Sequence, residues 1–409
     1  MELNKVNPCV IGLGKLGLPL AAVIADAGFQ TYGLDKSKPL VDALRNNVFE
    51  SPEPNLNSLI DRNRDKLNFV NEFSEVNKCN IFFLIVPTPS MNNGQFEDKY
   101  LVMAISELLE SFSGLLGQKT IVIVSTVMPT TCVEVFLPLI RSWEKENGNV
   151  LRINLLYAPE FIALGTVIYN LKNPDMTLIG CESPEQSELF LQVMARITND
   201  KPETQILSLT EAEIVKLMVN CFVTMKISFA NFIGEISSVI HGTDKHRISK
   251  AFGMDSRIGG KYLRPGLGFA GPCFPRDNKA LISFASENGL KANLGIATDE
   301  INRRQPENIL KLLKLNYPNA KSIGIAGITY KPNSKVIEES QTLMIARLLK
   351  SHKMEVKLYD PLLEASDLPE FTLCGSAEDI SSVDVVLVSK EFEFLVSEIK
   401  SSGINIFIV

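Results

Sequence analysis

Two parallel-sheet α/β domains joined by a central helical domain are what this sequence predicts. Over the first third, short apolar runs alternate with helical patterns, as in strands that pair in parallel and are linked by crossover helices. A helical pattern of about 30 residues then runs without a break. The strand and helix alternation returns over the last hundred residues or so. A chain of 409 residues has room for this division. The expected domains are 1–205, 206–305 and 306–409.

In the first domain, strands are expected at 9–12, 30–34, 80–86, 120–125, 153–157 and 176–179, with helices such as 16–27 and 101–112. Thr210-Glu211-Ala212-Glu213 reads as a capping box, a hydroxyl at the N-cap with a carboxylate three residues on. It opens the long helix, which should run to about His241 and stop at Gly242. A helix of that length needs support, so it should pack as a spine between lobes or between subunits. A turn-rich segment, 259–277, is followed by more helix to about Arg304. The last domain should contain strands at Ser322–Ala326, 356–359, 383–388 and 405–409, with a helix near 340–350.

Composition narrows the function. Hydrophobic residues at 45% and charged residues at 22% are ordinary for a soluble globular protein. A formal net charge of −6 disfavours nucleic acid as a partner and leaves room for a local basic pocket that takes a phosphate. The polar start, Met1 to Asn7, is unlike a secretory signal, and the apolar run 81–86 is far below the roughly 20 residues that span a bilayer. The expectation is a cytoplasmic protein with no membrane partner. The seven cysteines form no CxxC pair, which argues against a zinc ribbon or a disulfide framework. Three scattered histidines do not make a metal site, and His241 and His246 suit capping or solvent-facing roles.

Gly12, Gly14 and Gly17 form GxGxxG directly after the first strand and at the start of a helix. The first glycine makes the tight turn, the second lets the backbone approach a pyrophosphate, and the third permits close packing of helix on strand. Asp35 ends the second strand, where a carboxylate accepts hydrogen bonds from both ribose hydroxyls and repels a 2′-phosphate. A Rossmann-like domain that prefers NAD over NADP follows, with Lys36 as a mild counterweight. Thr88 in Val-Pro-Thr-Pro and Thr126 in Ser-Thr-Val follow strands whose carboxyl ends face the ligand crevice. Each either offers a hydroxyl to a ligand or simply forms a turn.

The chemistry concentrates in Gly266-Leu267-Gly268-Phe269-Ala270-Gly271-Pro272-Cys273-Phe274-Pro275-Arg276-Asp277. Glycine and proline make a loop that can present a thiol, and Arg276 favours a thiolate; a nucleophile and a buried loop cysteine are both open readings of Cys273. On the long helix, Lys216 and Asn220 share a face, with Thr224, Ile227 and Asn231 continuing near it. A lysine and an amide facing a cleft can stabilise an oxyanion. They can equally form a polar seam satisfied between domains.

With these residues in view, the chain resembles the nucleotide-sugar 6-dehydrogenase family, the UDP-glucose, UDP-N-acetylhexosamine and GDP-mannose dehydrogenases. The likeness runs in order through VIGLGKLGLPLAA, VPTP, STV, YAPEF, NPD, the helix from Glu211 to Asn231, DSRIGGKYLRPGLGFAGPCFPRD, GITYKP and YDP. The resemblance implies a four-electron oxidation of a sugar C6 alcohol by NAD, with Cys273 forming a thiohemiacetal and then a thioester. It implies that Lys216 stabilises the oxyanion, Asn220 helps bind the sugar, and Asp277 and Thr126 hold a water. Glu160 would be the general base of thioester hydrolysis, next to Phe161 at the substrate. Tyr262 and Leu263 would line the nucleotide end, Gly268 would lie against the substrate, and Lys331 would stand near the nucleotide. Arg257 would reach the substrate of a second subunit, which implies a homodimer.

The chain departs from the pattern at Glu338, where an Arg is frequent, and at Leu164, where a polar residue is common. Met176 replaces an Arg, and Pro272 and Arg276 replace a Ser and a Lys. These bear on cofactor affinity and sugar identity more than on reaction type. The Cys-Phe-Pro-Arg-Asp block leans toward the UDP-glucose branch. Two other functions remain: a two-electron hydroxyacid-type NAD dehydrogenase, which needs Lys216 but not Cys273, and a non-catalytic nucleotide-sugar-binding relative.

Overall fold

The computed structural model describes residues 6–399 and 403–409 and divides the chain into two compact units, 1–217 and 218–409. Among the described residues the first unit holds an eight-stranded sheet, in the order β3-β2-β1-β4-β5-β6-β7-β8. The strands are β1 (Pro8–Ile11), β2 (Thr31–Leu34), β3 (Leu67–Val70), β4 (Ile81–Leu84), β5 (Gly117–Ile123), β6 (Leu151–Tyr157), β7 (Met176–Gly180) and β8 (Glu203–Leu207). All pairs are parallel except β6 with β7. Strand order reverses between β1 and β4, the switch point where such sheets bind ligands.

Helices α1 (Gly17–Asp26), α2 (Lys38–Arg45), α3 (Leu56–Arg62), α4 (Lys99–Ser111), α5 (Leu137–Glu146), α6 (Val167–Lys172) and α7 (Glu188–Ile197) connect the strands. They bury both faces of the sheet: Val10 and Phe83 belong to one apolar cluster, and their neighbours Cys9 and Phe82 to the other. That is why β1 and β4 are apolar throughout instead of alternating.

The long helix α8 (Leu209–Val239) starts in the first unit and continues into the second. Its capping box is two residues earlier than expected. Ser208 and Glu211 exchange hydrogen bonds, Ser208 N–H to Glu211 (2.9 Å) and Glu211 N–H to Ser208 Oγ (3.3 Å), whereas Glu213 is buried and does other work. By length and apolarity α8 would pass for a membrane-crossing helix, the one such helix among the described residues. Its buried polar side chains mark it instead as a core helix. Thr224 donates to the Cys221 carbonyl and Ser228 to that of Thr298.

The second unit continues with α9 (Lys245–Phe252), α10 (Phe274–Glu287) and α11 (Asn293–Asn316). The helix expected to stop near Arg304 runs on through Pro306. Proline removes one donor there, yet Ile309, Leu310 and Leu313 beyond it are buried in the core, which holds the helix together. A five-stranded parallel sheet follows in the order β11-β10-β9-β12-β13, among the described residues. It comprises β9 (Ser322–Ala326), β10 (Glu355–Tyr359), β11 (Thr372–Leu373), β12 (Val385–Val388) and β13 (Asn405–Ile408). Helix α12 (Gln341–Ser351), capped by the Ser340 hydroxyl, and the short α13 (Val396–Ile399) complete it.

Candidate active site

The turn after β1 is shaped by glycines that leave no room for a side chain. A Cβ on Gly12 would lie 2.3 Å from the Ile85 carbonyl oxygen, and one on Gly17 would lie 1.8 Å from that of Gly12. Gly17 thereby lets α1, nearly all buried, close onto the strand. A Cβ on Gly14 would meet nothing within 4 Å, so the backbone is open on the side from which a pyrophosphate approaches. The Asp35 carboxylate accepts from Leu13 N–H (2.8 Å) and from Ser37 N–H (2.8 Å). Its remaining lone pairs suit ribose hydroxyls, and Lys36 is occupied by Glu107. These residues fit a dinucleotide. Gly14→Ala is therefore expected to leave the melting temperature within about 1 °C and to weaken NADH binding by about tenfold or more, as read by fluorescence titration.

The loops after β4 and β5 are tied together. Thr88 is buried and donates to the Thr126 carbonyl (2.8 Å), and Ser125 donates to that of Val86 (2.7 Å). Beyond Thr126, Thr130 adopts a left-handed φ of 78°, and Glu213 of α8 accepts the backbone N–H of both Thr130 (2.7 Å) and Cys132 (2.8 Å). Sequence reasoning assigned Glu213 to a cap and missed this brace.

One turn further along α8, Lys216 is buried. Its ammonium donates to the Glu160 carbonyl (2.6 Å) and lies 4.6 Å from the centre of the Phe161 ring. Three predicted site residues thus meet. Burial pushes the Glu160 carboxyl up to about 7, against the pull of the Lys216 charge. A base must be ionised to accept a proton, so a step using Glu160 should be slow below that value and fast above it. Activity that uses this carboxylate as a base is accordingly expected to rise with pH through about 7, as measured in a steady-state pH profile. Leu164, in the same loop, packs on the apolar core of the sheet. An apolar residue there gains burial that a polar one would forgo.

In the second unit the glycine-rich loop is held by side-chain amides. Asn231 accepts Gly266 N–H (2.8 Å) and donates to the Leu267 carbonyl (3.1 Å). Asn302 accepts Phe269 N–H (2.7 Å) and donates back to its carbonyl (3.0 Å), while Gln305 donates to the Gly266 carbonyl. A Cβ at Gly268 would stand 2.1 Å from Asn302 Oδ1, so this anchoring requires glycine. Gly271, at φ 81°, packs on the Tyr330 ring and donates its N–H to the Glu338 carbonyl (3.0 Å). Asn302 and Gln305 carried no local signal in the sequence.

The loop delivers Cys273 to the N-cap of α10, with Pro275 in the first turn. Five of the seven cysteines are buried and Cys374 is half-buried; Cys273 is exposed. Its sulfur therefore leaves the chain at the end of a helix where backbone N–H groups carry partial positive charge. Asp277, fully buried, accepts from Asn220 (2.6 Å) and from Arg276 (3.3 Å). Arg276 thus engages Asp277, and the predicted pair Asn220 and Asp277 is in direct contact.

The other predicted residues are dispersed. Tyr262 sits in a left-handed conformation, φ 66°, with its ring edge-on to Phe274. Leu263 is buried, and its carbonyl accepts from Ser249 (2.6 Å). Lys331 lies over the Tyr330 ring. Arg257 is 86% exposed in its side chain and engages Asp255. Beside the loop a cavity of about 780 Å³ is lined by Lys250, Leu263, Arg264, Leu267, Lys390 and others. Lys390 pairs with Glu393, whereas Lys250 and Arg264 have no acidic partner among the described residues.

The strand order, glycine turn and Asp35 fit the first unit to bind a dinucleotide. Comparison with known proteins identifies the family: the chain belongs to the UDP-glucose/GDP-mannose dehydrogenase family. Residues 6–198 match the family's NAD binding domain, 210–304 its central domain and 324–400 its UDP binding domain. It is similar to UDP-glucose 6-dehydrogenase AglM of Haloferax volcanii, with 29% identity over 96% of this chain and 92% of the relative. A candidate UDP-glucose 6-dehydrogenase of Bacillus subtilis, YtcA, is 31% identical over 95% and 89% of the two chains. Among solved structures, a UDP-glucose dehydrogenase from Pyrobaculum islandicum superposes with a TM-score of 0.85, at 27% identity, covering 95% of this chain and 90% of the other. The chain is therefore an NAD-dependent nucleotide-sugar 6-dehydrogenase.

Proposed function

We propose that this enzyme oxidises the C6 primary alcohol of a UDP-hexose, UDP-glucose or a UDP-N-acetylhexosamine, to the uronic acid through a covalent adduct on Cys273. The observation that carries the reading is the exposed thiol of Cys273 at the start of α10, on a loop whose backbone is fixed by buried amides. Two molecules of NAD, bound in turn, would each accept one of the two hydrides. In the first, C6 gives up a hydride and its hydroxyl a proton, leaving an aldehyde. The Cys273 sulfur bonds to C6 and the carbonyl oxygen takes a proton, giving a thiohemiacetal. Loss of a second hydride from C6 and of the hydroxyl proton gives a thioester. Water then adds, the C–S bond breaks, the thiol is regenerated and the acid leaves.

Lys216 stabilises negative charge on the C6 oxygen. Glu160 takes the proton of the hydrolytic water, and the buried Asp277 acts in proton transfer. Asn220 and Gly268 lie along the sugar. The nucleotide is assigned to the cavity beside the loop, where Leu263 and Leu267 offer an apolar wall and Lys250 and Arg264 offer charge to a diphosphate.

The enzyme acts as a homodimer in this reading. Met218, Phe222, Phe229, Phe232 and Ile236 stand exposed on one side of α8 at helical spacing, a stripe that a second copy would cover. Arg257, highly exposed, would then reach the partner's substrate. Phe232→Glu is expected to yield monomers in sedimentation equilibrium; a variant that stays dimeric would remove this interface.

The reaction is tested by mixing enzyme and NAD with a panel of UDP- and GDP-sugars and following NADH absorbance. A UDP-hexose should give two NADH per acid, with no free aldehyde. One NADH per substrate would instead indicate two-electron chemistry, and tight binding without NADH a non-catalytic protein.

A further inference from the structure

We propose that Glu53 is a positioning residue for the hydrolytic half of the reaction, a role that rests on the reading of Glu160 as its base. Glu53 lies between α2 and α3, over a hundred residues from the loop that carries Glu160, yet its carboxylate spans two backbone amides at the far end of that loop. One oxygen accepts Gly165 N–H (2.7 Å) and the other accepts Val167 N–H (2.7 Å).

Local sequence does not do this work. Thr166 is the N-cap of α6, but its hydroxyl turns away to the Ala163 carbonyl and to Asn170, so no side-chain cap comes from within the segment. Gly165, at φ 83°, makes the turn that directs its N–H to Glu53. The Glu53 N–H is itself held by the Ser51 hydroxyl (3.1 Å), which steadies the carboxylate.

The loop between β6 and α6 has no regular secondary structure and is held at its start, at Glu160 and at its end. Ala158 N–H bonds to the Ile123 carbonyl (2.9 Å) at its start, Lys216 holds the Glu160 carbonyl, and Glu53 holds the end. The Lys216 hydrogen bond is to the Glu160 main chain and its charge acts on the carboxyl, while the path of the backbone on both sides of Glu160 sets where that side chain starts. Glu53 fixes the downstream side. A carboxylate receiving two amide hydrogen bonds is a strong anchor, and small displacements of a catalytic group cost large factors in rate.

The oxidations precede hydrolysis and do not use Glu160, so loss of the anchor should slow acid release while sparing NADH formation in the first turnover. Glu53→Ala and Glu53→Gln are compared with wild type by stopped flow and steady-state assay. The glutamine retains the shape and one acceptor, and it presents an NH2 to the second amide. Expected are a full burst of two NADH per active site in both variants, and steady-state turnover lowered about tenfold, with the alanine the worse. The rise of turnover with pH, expected through about 7 in the wild type, should also shift. Wild-type turnover and pH profile in Glu53→Gln and Glu53→Ala would overturn the role, as would burst and turnover falling together. Acid formed at full rate by the wild type with no adduct trapped on Cys273 would instead overturn the covalent reading on which the role rests.

Discussion

Cys273→Ala is expected to lower uronic-acid formation by about a thousandfold or more while changing nucleotide-sugar affinity by less than about twofold. The asymmetry follows from placement. The thiol is exposed, so its loss opens no cavity in the core, and alanine is compatible with the start of α10. The Cys273 carbonyl still accepts Asp277 N–H (2.8 Å), and Asn231, Asn302 and Gln305 still fasten the loop. What disappears is the sulfur that retains the aldehyde for the second oxidation. Acid measured by chromatography and affinity measured by calorimetry should therefore separate cleanly. Undiminished acid output would eliminate the covalent route.

Lys216→Met should lower kcat by about a hundredfold or more, with a much smaller change in KM. Methionine retains an unbranched stem against Phe161 and removes the charge, so it is a fairer test than alanine at a buried position. The variant should also alter the pH profile. The Lys216 charge opposes the upward push that burial gives Glu160, so without it the carboxyl moves higher and the rise in activity shifts to more alkaline pH. A KM effect with unchanged kcat would remove the oxyanion role and leave Lys216 as a binding residue.

The elements legible in the sequence were those with strong apolar runs and turn chemistry. The β1 strand, its glycine turn and α1 were readable because the three glycines have distinct steric duties. Two strands of the first sheet were not. β8 begins Glu203-Thr204-Gln205 at an exposed sheet edge, without the apolar content that betrays a strand, and β3, the opposite edge, has only four residues. The start of α8 offered two overlapping boxes of the same form, Ser208 with Glu211 and Thr210 with Glu213. Only tertiary structure decides between them, because Glu213 is drawn away by Thr130 and Cys132. The helix expected to end near Arg304 continues through Pro306, because the turns that follow are buried.

The same division holds at the site. Cys273, Asp277, Lys216 and Glu160 lie in motifs and were named as candidates from them. Their supports were not, since Asn302 serves a loop 33 positions away and Glu53 one 112 positions away. Such pairings leave no local pattern to read. Leu164 looked like a defect beside Glu160, and its packing on the sheet core gives it a structural reason.

The most direct measurement is acid-quenched single turnover of the enzyme with NAD and a UDP-hexose, followed by intact and peptide mass analysis. The account predicts a transient adduct with the mass of a nucleotide-linked uronyl group, confined to the peptide containing Cys273, forming with the second NADH and decaying as acid appears. Acid that accumulates at full rate with no adduct on that peptide at any time would contradict it.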